Sequence, residues 1–254
     1  MDQVTEQMKD QDSFSLKGRT ALITGSTGGI GRAIAERFSA AGARAVIHGR
    51  NAEKTARVAS DIPRAIALDF DVTDLDRGEN AINALRPDIL VANVGARDRR
   101  SVAEIDASAL TEILQSNTIA AYHLARLAAA RMVKAEWGRI IFVSSIAAQR
   151  PFRGDPAYSA SKAAVESFVR SFSHEFGHAG ITTNAIAPGF IVTETNLEMA
   201  NSPEVKAFVA NRIPARRWGT PEEVAHAALF LASEGASFVN GHVLAVDAGM
   251  SVNL

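Results

Sequence analysis

The stretch GDPAYSASKAAVESF, residues Gly154–Phe168, sets a tyrosine and a lysine four positions apart among small residues. The chain has only two tyrosines. A phenol ionises near pH ~10 and alone is a poor proton donor or acceptor at neutrality. On a helix Tyr158 and Lys162 share a face, with Cβ atoms about 5–6 Å apart. Lowering the phenol pKa from ~10 to ~7 takes about 4 kcal/mol, and one cation ~4 Å away at an effective dielectric of ~20 supplies about that much. The pair therefore has the leverage for general acid–base chemistry. Alone, the same spacing also describes an ordinary surface helix.

A second group of residues has the chemistry of anion binding. LITGSTGGIGRAIAERF follows the first apolar run directly. Gly25, Gly29 and Gly31 allow a tight turn, close approach of the backbone to a pyrophosphate, and close packing of a helix whose N-terminal N–H groups face the anion. The second apolar run ends VIHGRN. There a dinucleotide site needs an acid for a free ribose 2′-hydroxyl or a base for a 2′-phosphate. The sequence offers Arg50 and no Asp or Glu at the strand end. A guanidinium fork suits a phosphate dianion, so the charge logic favours NADP(H) over NAD(H).

Other residues carry weaker signals. His174 and His178 have metal-ligand spacing, but only Glu175 is near and no third ligand is evident; imidazoles suit a helix C-terminus, and no metal is expected. The run RDRR (Arg97–Arg100) reads either as an attractor for a carboxylate or as a solvated loop. The net charge of −1 supplies no basic field for nucleic acid or an anionic membrane. The absence of cysteine excludes disulfides, thiolate metal sites and cysteine nucleophiles, and fits a reducing cytoplasm. Residues 1–13 are polar with no apolar h-region, and read as a loose tail rather than a secretory signal. The apolar runs are all too short to span a membrane.

These residues need elements to position them. Thr20–Thr24, Arg44–His48, Ala65–Phe70, Asp88–Val94, Arg139–Ser145, Thr182–Pro188 and His242–Ala248 are compact, partly β-branched and bounded by turn residues, the pattern of strands buried on both faces. Between them run helical patterns. Ile30, Ala33, Ile34, Phe38 and Ala41 form one apolar stripe, and others begin near Asn51, Asp74, Asp106, Ala157 and Pro221. The alternation predicts a single α/β domain over residues 14–254, with a Rossmann-type, doubly wound, parallel seven-stranded sheet covered by helices on both faces. The one long irregular stretch, from Gly189 to about Asn201, is a candidate substrate lid.

TGSTGGIG, Asp71–Val72, Asn93–Gly95, Asn117, Ser145, YSASK (Tyr158–Lys162) and Pro188–Gly189 occur in this order. The chain thereby resembles the short-chain dehydrogenase/reductase family, from about Phe14 to its end. One departure is ANVG at Ala92–Gly95, where the family has Asn-Asn-Ala-Gly, which loses an expected structural hydrogen bond. Another is Ala248, where the family commonly has glycine. The resemblance implies an NADP(H)-dependent oxidoreductase that interconverts a secondary alcohol and a ketone by hydride transfer. Its catalytic set would be Asn117, Ser145, Tyr158 and Lys162. Ser145 would hold the substrate oxygen beside Tyr158, Lys162 would also bond the nicotinamide ribose, and Asn117 would anchor a water leading protons onward.

For the cofactor the resemblance implies Gly25, Ser26, Thr27, Gly29, Ile30 and Gly31 in the first loop, then Arg50, Asn51, Asp71 and Val72 around the adenosine. Asn93, Gly95, Tyr158, Lys162, Pro188, Gly189, Ile191 and Thr193 would flank the nicotinamide. Gln149, Arg150 and Arg153 lie where the family's substrate pocket opens and hint at a polar, anionic ligand. GRNAE, FDVTD, RIPARRWG and SFVNGHVLAVDAGMSVNL resemble the gluconate 5-dehydrogenase branch, which implies a sugar-acid substrate. The 3-oxoacyl-carrier-protein reductase branch shares the same chemistry and stays open, as does a non-catalytic dinucleotide-binding sensor. The family also implies a homotetramer built on the helices beginning near Asp106 and Ala157 and on the last strand.

Overall fold

Short apolar runs bounded by turns become strands here because helices shield both of their faces from water. The computed structural model describes residues 13–151 and 154–253. Its strands are β1 (Thr20–Ile23), β2 (Arg44–Gly49), β3 (Ile66–Asp69), β4 (Ile89–Ala92), β5 (Gly138–Val143), β6 (Ile181–Pro188) and β7 (Val243–Val246). They lie within two residues of the predicted bounds. Among the described residues they form one parallel seven-stranded sheet in the order β3-β2-β1-β4-β5-β6-β7. The four central strands, β1, β4, β5 and β6, are buried along their whole length. The strand order reverses between β1 and β4, and the crevice beyond their C-terminal ends is where such sheets take ligands.

The helices are α1 (Gly29–Ala40), α2 (Ala52–Asp61), α3 (Leu75–Leu85), α4 (Ala107–Leu114), α5 (Ala120–Ala135), α6 (Pro156–Phe176), α7 (Leu197–Asn201), α8 (Pro203–Arg212) and α9 (Pro221–Ala232). Asn51, Asp74 and Asp106 cap α2, α3 and α4 with side-chain oxygens, as their sequence positions predict. Thr220 and Glu223 close a capping box on α9. Ile34, Phe38, Val58, Val224 and Leu229 pack one face of the sheet; Ile82, Leu124, Met132, Val165 and Phe172 pack the other. Each such side chain contributes roughly 1.5–3 kcal/mol when fully buried.

Two segments depart from the sequence reading. The helix expected from Asp106 is interrupted between α4 and α5 by a π-helical turn, Gln115–Ile119, which contains Asn117. Such widened turns often accompany functional sites. The stretch read as irregular from Gly189 contains α7 and leads into α8. Ser202 caps α8 and Pro203 begins it, but Val209 is its only buried residue, so no apolar stripe announces it in the sequence. No helix among the described residues is long and apolar enough to cross a membrane. The tail expected over residues 1–13 falls, except for Ser13, outside the described residues, as does Arg153.

Candidate active site

The loop after β1 is held from three sides. The Ser26 hydroxyl donates to the Ile23 carbonyl at 2.7 Å and accepts from the His48 N–H at 2.9 Å. The Gly25 N–H donates to His48 Nδ1 at 3.2 Å. The Asn93 amide donates to the carbonyls of Thr24 and Gly25 at 2.9 and 3.1 Å, so Asn93 braces the loop even with Ala92 in place of the family's first asparagine. Gly29 has φ +52°, a backbone region that disfavours side chains. A Cβ on Gly31 would stand 2.5 Å from the Gly25 oxygen and 2.6 Å from Asn93 Nδ2.

This packing leaves a cavity of about 560 Å³ along the N-terminus of α1, a size that suits a cofactor moiety. Gly25, Thr27, Gly29, Arg50, Asp71 and Val72 line it. Ser26 and Gly31 are buried behind the loop. The Asn51 side chain caps α2 through the Lys54 N–H at 2.8 Å. Arg50 is mostly exposed and stands 3.7 Å from Asp71. Lys54, one turn into α2, lines the same cavity and was missed in the sequence, although its spacing of four from Arg50 was a legible signal. Glycines that a Cβ would fill, free N–H groups at a helix start, and two cations at the far end make a donor set that fits a dinucleotide carrying an extra phosphate.

A second cavity, of about 580 Å³, meets the first at Asn93, Gly95, Thr193 and Thr195. Ser145, Tyr158 and Lys162 converge on it from the end of β5 and the first turns of α6. Pro188, Gly189 and Ile191, at and just beyond the end of β6, and Ile30 in α1 line it too. Ser145 accepts from the Ala147 N–H at 3.2 Å, and its hydroxyl stands near enough to the Tyr158 phenol to favour the ionised form. Lys162 is 2% exposed; its ammonium donates to the Val143 carbonyl at 2.7 Å and lies 5.7 Å from the Tyr158 ring centre. Burial lowers its pKa to about 8.

Burial and charge act on the Tyr158 phenol in opposite directions. Burial holds the phenol above its ordinary value, and this outweighs the opposing Arg97 guanidinium and the nearby Ser145 hydroxyl. The lysine ammonium spends itself on a backbone carbonyl rather than on the phenol. Asn117 is fully engaged as well. It donates to the Ala96 carbonyl at 2.9 Å and to the Ser161 hydroxyl at 3.0 Å, and accepts from the Ala96 N–H at 2.7 Å. It thereby brackets the loop after β4 against α6.

The remaining sequence candidates divide. Of the RDRR run, Arg97 pairs with Asp155 and Arg100 with Asp98, while Arg97 and Arg99 line the second cavity. Gln149 donates to Glu166, which also accepts from Ser144, so this buried carboxylate ties the end of β5 and the turn after it to α6. Arg150 is exposed. His174 and His178 stand in the last turn of α6 and the turn beyond. Thr193, Thr195 and Asn196 line the second cavity, and the Asn196 side chain is bonded to Thr193 and Ile191. The far wall is apolar: Phe190, Met199, Val205, Phe208 and Trp218, with Phe190 against both Phe208 and Trp218.

Comparison with known proteins agrees with this geometry. A family model described as enoyl-(acyl carrier protein) reductase matches residues 25–251. A gluconate 5-dehydrogenase of Gluconobacter oxydans is 33% identical over 97% of this chain and 100% of its own. A 3-oxoacyl-[acyl-carrier-protein] reductase of Aquifex aeolicus is 34% identical over 93% of this chain and 99% of its own. The crystal structure of a gluconate 5-dehydrogenase from Burkholderia cenocepacia, in complex with NADP and tartrate, superposes with a TM-score of 0.92 at 32% identity, covering 96% of this chain and 99% of that one. On motif order, sheet topology and near-complete coverage, the chain belongs to the short-chain dehydrogenase/reductase family.

Proposed function

We propose that this protein is an NADP(H)-dependent oxidoreductase that interconverts a secondary alcohol and a ketone through Ser145, Tyr158, Lys162 and Asn117. The observation that carries the reading is the convergence of a serine hydroxyl, a phenol and a buried ammonium where the glycine-loop cavity opens into a second one. A bound NADPH supplies the hydride. Tyr158 gives its proton to the carbonyl oxygen as charge develops there, and takes it back in the oxidative direction. Ser145 holds that oxygen against the phenol. Lys162 keeps positive charge close by, and Asn117 fixes the loop that carries Gly95 and Arg97. Arg50 and Lys54 favour a 2′-phosphate over a bare ribose, consistent with NADP in the Burkholderia structure.

For the substrate we infer a polyhydroxylated keto acid of the 5-ketogluconate kind. Arg99, Thr193 and Thr195 offer charge and hydroxyl partners in the second cavity. The likeness to gluconate 5-dehydrogenases, one of them in complex with tartrate, supports this. The apolar wall of Phe190, Met199, Phe208 and Trp218 favours a second reading, reduction of a 3-oxoacyl thioester. A site built to bond hydroxyls rejects analogues lacking them far better than an apolar pocket does. NADPH oxidation with 5-ketogluconate beside an acetoacetyl thioester and a medium-chain 3-oxoacyl thioester tests the choice. The keto acid is expected to show the higher kcat/KM, and the reverse ranking moves the enzyme to acyl reduction. A homotetramer in a reducing cytoplasm belongs to the same reading. Half-exposed Leu110, Ile119 and Tyr122, along α4 and α5 and the turn between them, and the absence of cysteine support it.

A further inference from the structure

The phenol of Tyr158 has a second cation beside it. The guanidinium carbon of Arg97 lies 4.5 Å from the ring centre, nearer than the Lys162 ammonium at 5.7 Å. Arg97 reaches there from the loop after β4 and is held by a forked pair with Asp155, Nε to Oδ1 at 3.4 Å and Nη2 to Oδ2. Asp155 is an unusual partner. It occupies the N-cap position of α6, where a carboxylate ordinarily accepts the free N–H groups of the first turn. Here its side chain makes no capping bond, although its carbonyl accepts the Ser159 N–H at 3.0 Å. The carboxylate, 3% exposed as a residue, is spent on Arg97. A buried acid diverted from its cap fixes the guanidinium in one place, and that place is over the ring.

We propose that Arg97 is a positioning residue for the proton exchange: a guanidinium clamped by Asp155 that stabilises the Tyr158 phenolate. The proposal rests on the reading of Tyr158 as the acid–base group. In reduction the phenolic O–H bond breaks, an O–H bond forms on the substrate oxygen, and the negative charge is left on a phenol whose ring lies beneath Arg97. Oxidation reverses the transfer and starts from that phenolate. The charged and polar groups around the phenol are Arg97 and Arg99 from the loop after β4, Asp155 and Lys162 from α6, Ser145 from the end of β5, and Glu204 of α8, which lines the same cavity. Burial pushes the phenol up most strongly. Arg97 opposes it with the larger of the remaining effects, and Asp155 pushes up more weakly.

The test reads the phenol directly. With Tyr122→Phe as background, Tyr158 is the only tyrosine left, and ultraviolet difference absorbance follows its ionisation without substrate. Adding Arg97→Gln is expected to raise the ionisation midpoint by about one unit, the low end for losing an opposite charge at this range. The acidic limb of kcat/KM for alcohol oxidation should move up by about the same amount, so that at a fixed pH on that limb the rate falls about tenfold. Arg97→Lys, which keeps the charge but loses the fork, should recover part of both shifts. An unmoved midpoint in Arg97→Gln overturns the proposal. So does a rise in KM confined to carboxylated substrates with an unmoved pH profile, because Arg97 would then hold substrate. Tyr158→Phe separates the two claims: full turnover in that variant removes Tyr158 from the mechanism, whatever Arg97 does.

Discussion

His48 couples the stability of the chain to pH through the cofactor loop. Its ring is 1% exposed at the end of β2, edge-on to Phe70, and Nδ1 accepts the Gly25 N–H. The imidazole must therefore be neutral with its proton on Nε2, and burial lowers its pKa from 6.5 to about 4. An unfolded chain takes up this proton near pH ~6.5. Between the two values the unfolded state binds more protons than the folded one, so stability is complete above pH ~6.5 and falls as the pH drops toward ~4. The gap between 6.5 and about 4 corresponds to about 3 kcal/mol at ~1.36 kcal/mol per unit. Urea unfolding at a series of pH values, for the natural chain and for His48→Gln, isolates this group. Gln does not titrate, so the natural chain should lose about 3 kcal/mol more than the variant across the window. Parallel loss in both proteins would refute the reasoning and place the acid sensitivity elsewhere. Protonation of the folded imidazole, which comes only near pH ~4, also removes the acceptor for the Gly25 N–H, so NADPH affinity of the natural chain should hold down to about that pH and weaken below it.

Two further substitutions test the cofactor cavity. Arg50→Ala should weaken NADPH by roughly 1.5 kcal/mol, the low end for a charge-assisted hydrogen bond given how exposed the side chain is, and leave NADH almost untouched. Equal losses in a fluorescence titration of the two cofactors would show that Arg50 does not meet the 2′-phosphate. Gly31→Ala forces a methyl group against the Gly25 carbonyl and Asn93, and should destabilise the fold by about 1–3 kcal/mol while weakening both cofactors alike. An unchanged melting temperature and affinity would mean that the loop accommodates the group.

The sheet was legible in the sequence because strands buried on both faces carry compact apolar runs, such as ILVA in β4 and IIFV in β5, between turn residues. The glycine loop was legible because its spacing follows from backbone geometry at one place in the chain. What stayed hidden depends on contacts between distant segments. Arg97 and Asp155 are 58 positions apart, and nothing local distinguishes Arg97 from Arg99 or Arg100 beside it. The apolar wall is assembled from Phe190, Phe208 and Trp218, which lie in three separate segments. The π-helical turn holding Asn117 leaves no mark in a pattern of apolar positions. The pairing of Tyr158 with Lys162 is legible as spacing; the burial of both groups is not. Spacing shows how near a cation is and not how deeply both groups are buried, and burial dominates the phenol.

The central claim is that the Tyr158 hydroxyl transfers the proton, and one comparison addresses it without disturbing the fold. Tyr158→Phe removes a single oxygen and leaves the ring packed beneath Arg97. NADPH binding, followed by fluorescence, and the melting temperature should both be retained. NADPH oxidation with the best ketone from the substrate ranking should fall by at least ~10²-fold, the loss typical of a missing general acid. Turnover within a few-fold of the natural chain, with binding intact, would contradict the account.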